Sequence, residues 1–73
     1  MTDKRGISIG EKAARLVAEI QMLETRGYTA DEMARYLQVS KRSINRDMVS
    51  LQTAPLYVPL WQDDAYRWHV NRA

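Results

Sequence analysis

The 73-residue chain contains no cysteine, no phenylalanine, one histidine, three glycines and two prolines. Without cysteine there is no disulfide, no thiolate metal ligand and no thiol nucleophile. A lone histidine, His69, is not a metal centre. Gly6, Gly10 and Gly27 form no phosphate-cradling loop. No apolar run approaches the roughly 20 residues of a membrane span. Met1-Thr2-Asp3-Lys4-Arg5 leads into no signal-peptide core, so the expected location is cytoplasmic, with no membrane partner. Carboxylate pairs exist (Asp31/Glu32 and Asp63/Asp64), but a catalytic pair needs a cleft that so short a chain rarely builds. These absences point to a small binding module, not an enzyme, with no cofactor and no metal.

What is present is enough for one domain. A chain of this size buries only about 60% of its unfolded surface, so secondary structure must supply most of the order. Residues 1–8 read as a flexible segment and 9–71 as a single domain. Ser8 and Glu11 have capping-box spacing. Ala13, Leu16, Val17, Ile20 and Leu23 then recur at helical spacing, and Gly27 can take a left-handed cap. The first helix is expected over about 9–26. Thr29 and Glu32 form a second capping box, with Tyr28 and Met33 as a hydrophobic staple, opening a short helix over about 30–37. Ser40 is a third N-cap. Ile44, Met48 and Leu51 share one face of a helix over about 41–53, which ends before Pro55.

Beyond Pro55 the residues are aromatic and β-branched in two runs, about 56–61 and 65–70, around the turn-like Gln62-Asp63-Asp64. The pattern predicts a two-stranded hairpin packed on the helices. Leu56, Val58, Leu60, Tyr66, Trp68 and Val70 would face inward. Tyr57, Pro59, Trp61, Arg67 and His69 would face outward, with Pro59 at an edge or bulge.

The net charge of +2 is too small to establish a nucleic-acid partner; where the charge lies matters more. Lys41, Arg42 and Arg46 fall within six residues at the start of the third helix. Arg42, Asn45, Arg46 and Val49 project opposite Ile44, Met48 and Leu51. Arginine can bond guanine O6/N7 bidentately and asparagine adenine N6/N7, which is the chemistry of a major groove. Ser40, Ser43 and the free N–H groups of the helix start suit a phosphate oxygen. A plain solvated basic face has the same composition.

The run from Thr29 to Leu51 resembles the winged helix-turn-helix of DeoR-type bacterial regulators. Val39-Ser40, Ser43-Ile44, Arg46-Asp47, Met48 and Leu51 fall on that family's positions, and Tyr66-Arg67-Trp68 resembles its second wing strand. The resemblance implies a mainly α fold: three helices and a small β-hairpin wing. It makes residues 41–53 the recognition helix, with Lys41, Arg42, Ser43, Asn45 and Arg46 contacting double-stranded DNA. Asp47 would instead pair with Arg35 or Arg15, since phosphates repel a carboxylate. Lys4, Arg5, Arg67 and His69 are further candidate backbone or wing contacts. One domain offers little contact area, so a homodimer or tandem copies on repeated half-sites are expected. No small-molecule effector is expected, because helices, turn and wing use the chain almost to its end. By size the chain resembles stand-alone phage or mobile-element regulators, repressors or excisionase-like factors.

Two departures stand out. Gln38 occupies the place where the family's turn has glycine, so a strained or wider turn is expected. Asp63-Asp64-Ala65 replaces glycines at the wing tip, which disfavours insertion beside phosphates. The outward Tyr57 and Trp61 either complete the small core or anchor a protein contact. The second option defines the alternative function, a protein-interaction module.

Overall fold

The computed structural model describes the backbone of residues 4–71 and the side chains from Gly10 onward. The first helix, α1, spans Lys4–Thr25. It begins five residues earlier than expected, so Ser8 lies inside it and is not its N-cap. The expected break at residue 8 is therefore corrected for residues 4–8. No proline interrupts that stretch. An interior glycine costs only about 1 kcal/mol, and each added residue gains a backbone hydrogen bond. The side chains of Lys4 and Arg5 lie outside the described residues. Leu16, Ile20, Met22 and Leu23 form the packed face of α1. Ala13 and Val17, expected on that face, are exposed.

Gly27 also plays a different part from the one expected. It adopts no positive φ. It is needed because a Cβ there would run into the His69 ring. After it, β1 (Tyr28–Thr29) leads directly into α2 (Ala30–Leu37). The second capping box is complete. Glu32 N–H donates to Thr29 Oγ1 at 3.1 Å, and Thr29 N–H donates to Glu32 Oε1 at 2.9 Å. The staple partner Met33 is fully buried and Tyr28 half-buried. Gln38 ends α2 in the left-handed region, φ 59° and ψ 46°, and its N–H donates to Ala34 O. Val39 N–H donates to the same carbonyl at 3.0 Å. α3 (Lys41–Gln52) follows, capped by Ser40, whose Oγ accepts from Ser43 N–H at 3.0 Å.

The wing is a three-stranded antiparallel sheet rather than a two-stranded hairpin. β2 is Leu60–Gln62, β3 is Arg67–Val70, and the order is β1-β3-β2. Tyr28 pairs with Trp68 on one side of β3, and Leu60 with Val70 on the other. β2 is shorter than expected because the chain is still turning after α3. Leu56 N–H and Tyr57 N–H both donate to Thr53 O at 3.0 Å, and Val58 N–H donates to Leu51 O at 2.7 Å. Pro59 has no N–H for a ladder. Leu56 is consequently exposed, not inward. Tyr66, also expected inward, has φ 63° and is 72% exposed. Its positive φ breaks the two-residue alternation just before β3 begins.

Met33, Ile44, Met48 and Leu51 form the centre of the core. Val58, Leu60, Trp68 and Val70 pack onto it from the wing, as the alternation implied. The result is the mainly helical winged helix-turn-helix. No helix among the described residues is long and apolar enough to cross a membrane.

Candidate nucleic-acid interface

The two faces of α3 are sharply divided. Ile44, Asp47, Met48 and Leu51 are buried, whereas Arg42, Asn45, Arg46 and Val49 are exposed. The 3.6-residue period makes this split, since positions 44, 48 and 51 share one side. The outer stripe therefore holds two guanidinium groups, one carboxamide and one valine, with no acid among them.

Lys41 and the two serines are more occupied. Lys41 Nζ sits 3.7 Å from Asp31 Oδ1, both side chains largely exposed, and such pairs contribute little. Ser40 Oγ is taken up in capping and donates to Ser43 Oγ at 3.1 Å. What the serines leave open are N–H groups of the first turn, which suit an anion.

Asp47 is turned inward, onto α1. Arg15 Nε donates to its Oδ2 at 2.6 Å and Arg15 Nη2 to its Oδ1 at 3.0 Å. Of the two partners expected, Arg15 is the one used. Beside this pair lies Glu19, fully buried, with neither carboxyl oxygen hydrogen-bonded and Oε2 3.9 Å from Arg15 Nε. One cation thus faces two buried carboxyl groups. Burial, reinforced by Asp47, pushes Glu19 up to about 9. Burial alone would raise Asp47 too, but the two hydrogen bonds from Arg15 outweigh it and hold Asp47 low. Glu19 is therefore a neutral acid at pH 7, and Asp47 an anion bound to Arg15. The acid nearest the cationic stripe is neutralised from beneath.

Sequence reasoning missed Glu19. Its signal was its spacing: Leu16 lies three residues before it and Leu23 four after, which puts it on the packed face. It missed Tyr66 as well. Tyr66, Gln62 and Ala65 line a cleft opposite Lys41, Asn45 and Asp31, so the wing tip, the turn between β2 and β3, flanks the start of α3.

The wing tip is organised by Asp63. Its Oδ1 accepts from Ala65 N–H and Arg67 N–H, each at 2.9 Å, and its Oδ2 lies 2.8 Å from His69 Nε2. The His69 bond first, then these backbone donors, hold the Asp63 carboxyl below the usual range. The His69 ring also stacks on Trp61, centroids 4.3 Å apart, and covers Gly27. His69 is thus engaged by Asp63 and Trp61 within the wing. Arg67 is half-buried at the start of β3, opposite Thr29. Tyr57 (68%) and Trp61 (50%) are exposed, so they do not complete the core. Among the described residues no group of three or more His, Asp or Glu side chains is placed to hold a metal.

The sequence profile of the HTH domain family matches residues 15–58, more than half of the chain. That span runs from Arg15 through α2, the turn and α3 to the edge of the wing. No curated protein and no solved structure matches the chain. HTH domains are DNA-binding modules of transcription regulation and not a catalytic kind of family. The residues that build the turn, cap α3 and turn its cationic side outward all lie inside the matched span, and the chain belongs to the HTH domain family.

Proposed function

We propose that the chain binds double-stranded DNA sequence-specifically with α3 in the major groove, as a small transcriptional regulator of the DeoR type, a repressor or an excisionase-like factor. The observation that carries this reading is the outward Arg42–Asn45–Arg46 stripe with Asp47 withdrawn onto Arg15. Arg42 and Arg46 read guanine, Asn45 reads adenine, and Lys41, Ser40 and Ser43 with the α3 N-terminus meet phosphates. Arg67, half-buried at the start of β3 opposite Thr29, is the wing residue closest in character to a backbone contact. The domain works as a homodimer or in tandem, because a single recognition helix covers few base pairs.

The test is selection of bound duplexes from a random pool, followed by titration of the winner at several salt concentrations. Binding should weaken steeply with salt. Arg42→Ala and Arg46→Ala should each cost about 1–3 kcal/mol and relax one base position while the helical circular dichroism is unchanged. Failure to enrich any duplex would sink the reading.

The exposure of Tyr57 and Trp61 favours a second reading, a protein-interaction surface on the wing. Under it, Tyr57→Ala with Trp61→Ala abolishes partner capture while Arg42→Ala and Arg46→Ala do not.

A further inference from the structure

We infer that Val49 is a specificity-determining residue that reads the C5-methyl group of a thymine. The inference rests on the placement of α3 in the major groove proposed above.

Val49 is 60% exposed on the polar side of α3. It stands four residues after Asn45, three after Arg46 and seven after Arg42, so all four lie on one stripe. It is not one of the partly buried hydrophobic residues that pack against the core. Stability therefore does not account for an aliphatic side chain there. The same position filled by a polar residue would serve solubility better.

The major groove supplies a partner of matching chemistry. Among the base edges exposed there, thymine alone carries an apolar group, its C5-methyl. Valine suits that contact. In a helix its χ1 is held almost entirely in one rotamer, so its two methyl groups are presented with little entropy to lose. The backbone beneath it is tied as well, because Thr53 Oγ1 donates to Val49 O at 3.1 Å. At about 1.5 Å of rise per residue, Val49 lies about 6 Å along α3 from Asn45. The thymine should then fall about two base pairs from the adenine that Asn45 contacts, at roughly 3.4 Å per base pair.

The experiment starts from the duplex enriched in the pool selection. Each thymidine is replaced in turn by deoxyuridine, which removes only the C5-methyl. Wild type should lose about fourfold in affinity at one thymine and little elsewhere, the scale of one buried methyl. Val49→Ala should bind the thymine and deoxyuridine duplexes equally at that position, yet keep its sensitivity to guanine substitution. Val49→Thr, which keeps the β-branch and one methyl, should retain part of the thymine preference. Val49 is exposed, so both variants should keep the wild-type circular dichroism. The inference is overturned if wild type tolerates every replacement within twofold, or if Val49→Ala keeps the full deoxyuridine effect. Those outcomes leave the major-groove reading standing; a pool that enriches no duplex removes both.

Discussion

Replacing Glu19 by glutamine should flatten the pH dependence of stability and raise stability at neutral pH. In the folded chain Glu19 is buried without a hydrogen-bond partner, beside Asp47, which already claims Arg15. Its carboxyl is pushed up to about 9, from an ordinary value near 4.5 in the unfolded chain. A raised acid contributes its full stability below pH 4.5, where both states are protonated. That stability is lost progressively as pH rises toward 9. Asp47, held low, acts in the opposite sense and matters only as pH falls below about 4. Between pH 5.5 and 7.5 the unfolded chain releases nearly one proton more than the folded one. Stability should therefore fall by about 1.4 kcal/mol per pH unit, or roughly 2–3 kcal/mol over that window. For a domain worth about 4–11 kcal/mol in total this is large, a shift in Tm of roughly 10–20 °C. Glutamine keeps the shape, does not titrate, and can donate an N–H to the Asp47 carboxylate. Thermal and urea melts followed by circular dichroism from pH 5 to 8.5 give the answer. Glu19→Gln should match wild type near pH 5 and exceed it by roughly 2–3 kcal/mol at pH 7.5. Every other titrating group is common to both proteins, so the difference isolates Glu19. A wild type whose stability is flat or rising across the window refutes the reasoning, as does a variant that keeps the wild-type slope.

Three further outcomes are expected. Gln38→Gly should stabilise the fold by about 0.5–1 kcal/mol, read as a higher urea midpoint, because it removes the Cβ penalty of a left-handed residue at the cost of some unfolded-state entropy; an unchanged or lower midpoint contradicts it. Gly27→Ala should destabilise by about 1–3 kcal/mol, since its methyl meets a His69 ring clamped by Trp61 and Asp63. Tryptophan emission should shift with it as the Trp61 stack is displaced, and an unperturbed spectrum would count against the clamp. Arg15→Met should cost about 3–5 kcal/mol at pH 7, because it strands Asp47 as an uncompensated buried charge. Its melts should recover partly in Arg15→Met, Asp47→Asn, and a double variant no better than the single would refute the pairing.

The reading from the sequence succeeded where the physics is local and failed where it is not. Thr29 with Glu32, and Ser40 before Lys41, are caps whose partners lie three residues away; Ser8 and Glu11 share that spacing, but α1 runs on through them to Lys4. The stripe of Ile44, Met48 and Leu51 follows from helical period, and with it the outward set Arg42, Asn45 and Arg46. Gln38 in the left-handed region fits the strained turn expected from the resemblance, in which glycine holds that place. By contrast, Tyr28–Thr29 is a strand only because β3 comes alongside. Tyr66 fails the alternation because one positive φ resets the phase of the faces. Gly27 looked like a helix cap, yet its requirement comes from a histidine 42 residues later in the chain. Lys4 to Ser8 read as a tail because the stretch is largely polar and lies at the start of the chain, whereas no proline there stops a helix.

The sequence by itself therefore determined the helices that start at caps, the turn between them and the side of α3 that carries its cations. It did so because those features are decided by hydrogen bonds and periodicity within a few residues. Only the tertiary structure decided that Asp47 lies on Arg15 rather than Arg35, and that Glu19 is sealed in beside them. It also decided that His69 is spent between Asp63 and Trp61, and that Tyr66 faces the start of α3. Each of these depends on which segments distant in the chain come into contact. In a core this small, that packing determines whether a charged or aromatic side chain is buried, paired or presented to a partner.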